Sequence, residues 1–165
     1  MPSKPASQSP RHVAFMLDLQ WPYKRHAGIF AGAQRYAQEH GWESTIDNYV
    51  AEELPARRTK SLRYDGVIAR ASKKLAERAE RLGLPVVNTW VGSPVRERLP
   101  GVFSDLAARG RLRSEHLLAR GLRRFASLGT GDSASKVELA AFRTTVREAG
   151  FPCVTTRLPL HSAQT

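Results

Sequence analysis

Carboxylates and large aromatics recur just after the short apolar runs of this 165-residue chain. Asp18, Trp21 and Tyr23 follow Val13–Leu17, Ala71 and Ser72 follow Val67–Ala69, Trp90 follows Leu84–Thr89, and Asp105 follows Gly101–Ser104. An aromatic face stacks on the C–H groups of a sugar, and a carboxylate accepts hydrogen bonds from neighbouring hydroxyls. Asp18, Trp21, Tyr23, Trp90 and Asp105 therefore form a set suited to a polyhydroxylated ligand. The same residues have plainer uses, the tryptophans as plugs between helices and sheet and the aspartates as helix caps.

Other chemistries are less well provided for. Gly129-Thr130-Gly131-Asp132-Ser133-Ala134 fits G-x-G-x-x-A between a strand and a helix, where backbone N–H groups meet a pyrophosphate. A nucleotide-dependent α/β enzyme built on that loop is the alternative reading, but the following strand ends Thr155-Thr156-Arg157 without the acid that would hold a ribose. Gly131-Asp132-Ser133 also matches the GDS block of a family of serine esterases, yet no aspartate follows Asp132 and the only later histidine is His161. His12, His26, His40, His116 and His161 never pair at i, i+3 or i+4, and Cys153 is the single cysteine. The expectation is no metal site, no cofactor, no intrachain disulfide and no enzymatic activity.

The elements that must carry these residues follow from hydropathy patterning. Val13–Leu17 reads as a buried strand. The segment after Tyr23 repeats apolar residues at helical spacing through Ala27, Phe30, Ala31, Tyr36 and Ala37, stops at Gly41, and gives way to alternation over Trp42–Ile46. That is one β-α-β unit, and its right-handed crossover puts both strand C-termini on one sheet edge, where open α/β folds bind ligands. The plan repeats: a charged helix at Ala51–Leu62, a strand at Val67–Ala69, a helix at Lys73–Leu82 between Ser72 and Gly83, and a strand at Leu84–Thr89. A brief strand at Gly101–Ser104 comes next, then a helix at Leu106–Arg120 with Leu112, Leu117 and Leu118 inward, a strand at Arg124–Leu128, a helix at Ser133–Ala149 and a strand at Phe151–Leu158. The fold class is α/β, a doubly wound parallel sheet.

Composition agrees with a globular protein: 41% hydrophobic and 25% charged residues, and no run near the roughly 20 apolar residues of a membrane span. The net charge of +11, from 26 basic and 15 acidic residues, raises direct nucleic-acid binding. The excess is spread over helix faces, with short blocks only at Arg57–Lys60 and Arg120–Arg124, which favours a solvated surface. The proline- and serine-rich residues 1–10 read as a disordered leader, and the single cysteine fits a cytoplasmic location. The last apolar strand, followed only by His161–Thr165, reads as a fold cut short whose open edge favours self-association.

The order of several short pieces is similar to a known family. Val13-Ala14-Phe15, Trp21-Pro22-Tyr23, Gly28–Ala33, Tyr36-Ala37, Gly41-Trp42, Asp65–Ile68, Leu84–Val87, Val102–Asp105, Glu115–Gly121, Arg124–Ala126 and Ala141–Arg143 resemble the periplasmic-binding-protein-like sensor domains of bacterial transcription regulators. The chain looks most like the sensor half of AraC-type xylose-operon regulators, and is also similar to lac-repressor-type effector domains. The resemblance implies a two-lobed type I fold with a sugar in the cleft. It gives a first lobe over residues 11–121, the start of a second over 122–160 and a tail over 161–165. It further implies a homodimer that contacts DNA through a domain outside these residues, and it maps the cleft onto Asp18–Tyr23 and the neighbourhood of Trp90, with Asp105 nearby.

Overall fold

The computed structural model describes residues 9–20, 24–57 and 61–157, in two compact units, Met1–Val102 and Phe103–Thr165. Trp21, Tyr23, most of the leader and the 161–165 tail lie outside the described residues.

In the first unit β1 (His12–Met16), β2 (Glu43–Ile46), β3 (Gly66–Ala69) and β4 (Val86–Asn88) pair in the order β2-β1-β3-β4, every pair parallel. Val13, Ala14 and Phe15 are all buried, as a central parallel strand covered on both faces requires. Between the strands run α1 (Arg25–Glu39), α2 (Val50–Glu53) and α3 (Lys73–Leu82). α3 is the most completely specified helix. The Ser72 hydroxyl accepts from the Leu75 N–H at 3.2 Å, and Gly83 ends the helix in the left-handed region at φ 65°. The apolar stripe between them, Leu75, Ala76, Ala79 and Leu82, is buried against Ala14, Val67, Ala69 and Val86.

Three elements differ from the sequence expectation. The charged helix expected over Ala51–Leu62 shrinks to α2, because Leu54 must be extended before Pro55; the Arg78 guanidinium then donates to the carbonyls of Ala51, Glu52 and Leu54 at 2.9, 2.8 and 3.1 Å. The strand expected over Gly101–Ser104 is a single parallel bridge between Asn88 and Gly101. On α1, Ala27, Ala31 and Tyr36 are exposed, and the buried positions are His26 and Ala37.

A buried phenol ties β3 to the end of β2. Tyr64 is 4% exposed and donates to Asp47 Oδ2 at 2.7 Å. Burial, and then that hydrogen bond, push its hydroxyl up to about 12 from an ordinary 10.0. With the folded pKa above the unfolded one, this contribution is complete below about pH 10 and is lost as pH rises through about 12. Tyr64→Phe is expected to cost about 1 kcal/mol at neutral pH. Urea unfolding followed between neutral and alkaline pH should show the difference between wild type and variant narrowing above pH 10; a constant difference would refute the assignment.

The second unit contains α4 (Leu106–Ala119), β5 (Phe125–Gly129), α5 (Ser133–Glu148) and β6 (Cys153–Arg157), with β5 and β6 parallel. α4 packs along α5 within this unit. Its buried positions are Leu106, Gly110 and Ser114, whereas Leu112, expected inward, is 68% exposed. Small residues form the contact because the helices approach very closely: a Cβ on Gly110 would lie 2.2 Å from the Glu138 carbonyl and 3.1 Å from the Phe142 nitrogen. The buried Glu138 carboxylate is ion-paired with Arg109 and Arg113 of α4. Phe125, Phe142 and Val146 form the small core beneath.

Candidate ligand-binding site

The C-terminal edge of the first unit's sheet is built by one buried amide. Asn88, the last residue of β4, is fully buried. Its Oδ1 accepts from the Ala71 N–H at 3.2 Å, just past β3, and from the Trp90 N–H at 3.0 Å, and its Nδ2 donates to the Trp90 carbonyl at 3.3 Å. One side chain thus fixes the loops leaving two neighbouring strands. Thr89 adds a hydroxyl bond to the Ala69 carbonyl at 3.1 Å, and Ser93 one to the Ala71 carbonyl at 2.6 Å. Gly92 leaves room for the indole, since a Cβ there would lie 3.1 Å from Trp90 Nε1.

These loops set Trp90 beside Arg70, the first residue beyond β3. The guanidinium lies 4.7 Å from the ring centroid, over its face, and both side chains are half-buried. Desolvation holds the Arg70 pKa below the usual arginine value; the like charge of Arg25 adds to this, and the Asp18 carboxylate opposes it. Asp18, Arg25, Arg70 and Trp90 consequently share one electrostatic neighbourhood. Asp18 is exposed and its Oδ1 accepts from the Gln20 N–H at 3.0 Å. Its backbone carbonyl accepts from Nδ1–H of His26 at 2.7 Å, so the buried imidazole of α1 anchors the turn after β1. α1 itself starts Lys24-Arg25, with no side-chain cap and no acid in its first turn.

Of the expected site residues, Asp18 and Trp90 thus converge, through Arg70. Asp105 lies in the second unit, where its Oδ1 caps α4 by accepting from the Ala108 N–H at 2.8 Å. Arg70, Asn88 and His26 were not among the expected residues. An arginine directly after a strand is the signal that marks Arg70, but it is lost among 26 basic residues.

Two other places compare poorly. In the Gly129–Ala134 loop, Asp132 caps α5 through the Ser135 N–H at 2.9 Å and accepts from the Thr130 hydroxyl. These bonds hold its carboxyl below the ordinary value, with the Thr130 bond the larger cause, so a negative charge already sits where a pyrophosphate would bind. A cleft of about 630 Å³ in the second unit is walled chiefly by leucines and Phe142, and its buried acid, Glu138, is committed to two arginines. Among the described residues no group of histidine, cysteine and acidic side chains is placed to hold a metal, and no helix is long and apolar enough to cross a membrane.

Residues 13–164 match the family described as periplasmic binding proteins and the sugar-binding domain of the LacI family. The chain belongs to that family. No curated protein matches the sequence at a significant level. Among solved structures, this LacI-family domain is similar to a periplasmic ribose ABC transporter protein from Conexibacter woesei, at 20% identity and a TM-score of 0.66 over 91% of this chain and 55% of that one. It is similar to a periplasmic binding protein/LacI transcriptional regulator from Alkaliphilus metalliredigens complexed with D-xylulofuranose, at 14% identity and 0.61 over 94% and 59%. A xylose-binding transcription activator, xylR, aligns at 21% identity and 0.62 over 90% of this chain and 38% of that protein. At these identities the likeness is one of fold, and the chain spans little more than half the length of the first two.

Proposed function

We propose that this LacI-family domain senses a monosaccharide effector, probed first with xylose and its relatives, as part of a cytoplasmic transcription regulator. The observation that carries the reading is the edge fixed by Asn88, which sets an aromatic plate, Trp90, beside the guanidinium of Arg70. Ring C–H groups stack on the indole, while hydroxyls donate to Asp18 and accept from Arg70. Trp21 and Tyr23 complete the proposed site. Binding that favours a closed arrangement of two lobes shifts a population, and a homodimer transmits that shift to DNA-binding domains outside these residues. The family is one of binding proteins, and the reading assigns no catalytic step to the chain.

Titration with a panel of pentoses, hexoses and their acidic derivatives, followed by tryptophan fluorescence, tests this, with NAD as the rival ligand. A saturable change with at least one monosaccharide, abolished or inverted in sign in Trp90→Phe, is expected. Silence with every sugar, or a response to NAD alone, overturns the reading.

A further inference from the structure

The second unit repeats the opening plan of the first and leaves one strand edge of it open. β1, α1 and β2 form a strand, a helix and a parallel strand, and so do β5, α5 and β6. Each leading strand turns one face to the helix that follows it: Phe15 meets Phe30 of α1, and Phe125 meets Phe142 of α5. The alternate residues point the other way. In the first unit these are Ala14 and Met16, which share a cluster with Leu75 and Ala79 of α3, while β3 pairs along the second edge of β1. Val13, Ala14 and Phe15 are consequently buried in an unbroken run. Among the described residues β5 has neither partner: it pairs with β6 alone, its burial alternates, and Ala126 and Leu128 are exposed, Leu128 to 53%. A parallel strand paired on one edge and covered on one face departs from the rule that parallel sheets are buried on both sides. The cleft of about 630 Å³ takes three consecutive residues from β5, Ala126–Leu128, and among the described residues none from β6, which places it along the open edge. Its other walls are Leu112 and Leu117 of α4 and Leu139 and Phe142 of α5, and Arg113 and Glu138 beside them are ion-paired with each other, so the cleft suits an apolar occupant rather than an ionic one.

We infer that this cleft is a docking groove for one strand-and-helix unit of polypeptide: an apolar strand that pairs in parallel along β5 as β3 does along β1, followed by a helix that covers Ala126 and Leu128 as α3 covers Ala14. The unit comes from the further part of a LacI-family domain, outside these residues. Solved structures of this fold have that length to give, since this chain spans 55% of one and 59% of another. A second copy of the chain has no such unit to spare, because Val67, Ala69, Leu75 and Leu82 are each at most 2% exposed in the core of their own first unit. Main-chain hydrogen bonds on the strand edge give the attachment, and apolar burial against the groove wall selects the segment. No sugar or other effector enters the contact.

The test is calorimetric titration of the full chain with a synthetic peptide copying residues 65–83, its own strand-and-helix unit, joined to hydrogen exchange that locates the contact. Saturable binding with slowed exchange over Phe125–Gly129 is expected. Leu128→Asp, at a half-exposed position that the fold does not need, should weaken binding by about tenfold or more, and Leu112→Asp, 68% exposed on α4, repeats the test from the opposite wall. The same peptide carrying Val67→Asp should bind about tenfold more weakly or worse. Unchanged affinity in both groove variants, or equal binding of the Val67→Asp peptide, overturns the inference. Protection confined to β1 also overturns it, since the peptide would then be exchanging with the chain's own β3. Protection of β5 that grows with protein concentration in the absence of peptide hands the groove to a second copy and overturns the proposed occupant. Absence of any binding removes the groove as a strand-docking site.

Discussion

Gly110→Val is expected to destabilise the Phe103–Thr165 unit by about 3 kcal/mol or more, at the upper end of overpacking penalties. The atoms that a new side chain would meet are mostly unable to yield. The Glu138 carbonyl, 2.2 Å from the position of the added Cβ, and the Phe142 nitrogen, at 3.1 Å, are backbone of α5, so relief requires the two helices to separate. Separation would in turn pull Arg109 and Arg113 from the buried Glu138 carboxylate and expose Ser114. The distribution of fluorophores makes the test clean. All three tryptophans, Trp21, Trp42 and Trp90, belong to the first unit. Urea unfolding followed by helical circular dichroism should show an early transition in the variant, while the tryptophan transition stays near its wild-type midpoint. A dichroism midpoint within about 1 kcal/mol of wild type would show that α4 and α5 are not packed through Gly110.

The second large effect is expected at Asn88. Truncation to alanine removes the acceptor for the Ala71 and Trp90 N–H groups, together with the donor to the Trp90 carbonyl. The site is fully buried, so water does not simply take over, and a loss of about 2–4 kcal/mol is expected from the two orphaned amides. Here the tryptophan signal is the reporter. Asn88→Ala should lower the fluorescence-detected midpoint and also change the emission of the folded protein, because the segment carrying Trp90 loses its tether. A variant with wild-type stability and emission would mean that Thr89 and Ser93 hold these loops unaided.

The parts of this architecture that the sequence announces are those with a periodic cause. Parallel strands buried on both faces read as unbroken apolar runs, and α3 is bracketed by a serine and a glycine whose roles follow from backbone chemistry alone. The order of these strands and helices is therefore legible. What escapes is set by close approach or by coupling between distant residues. α4 presents leucines at helical spacing, yet the face it buries is the one bearing Gly110 and Ser114, since only small side chains let α5 come so near. Asn88 looks like the polar end of a strand, and its bond from the Ala71 N–H exists only once β3 and β4 lie side by side. Arg70 becomes distinctive only through its position over Trp90. A carboxylate, by contrast, is visible in sequence while its role is not, and Asp105 and Asp132 both prove to be helix caps.

That difference between helix starts has an energetic consequence. α3, α4 and α5 each begin under a side-chain oxygen that accepts an N–H, whereas α1 begins with two cations and no such cap. The missing cap and the adjacent positive charge both penalise the closed first turn, which is held instead by the buried His26 and its bond to the Asp18 carbonyl. An anion arriving there would do what a capping aspartate does elsewhere in the chain. Such capping would be visible as slowed amide exchange at Ala27 and Gly28 when inorganic phosphate is added.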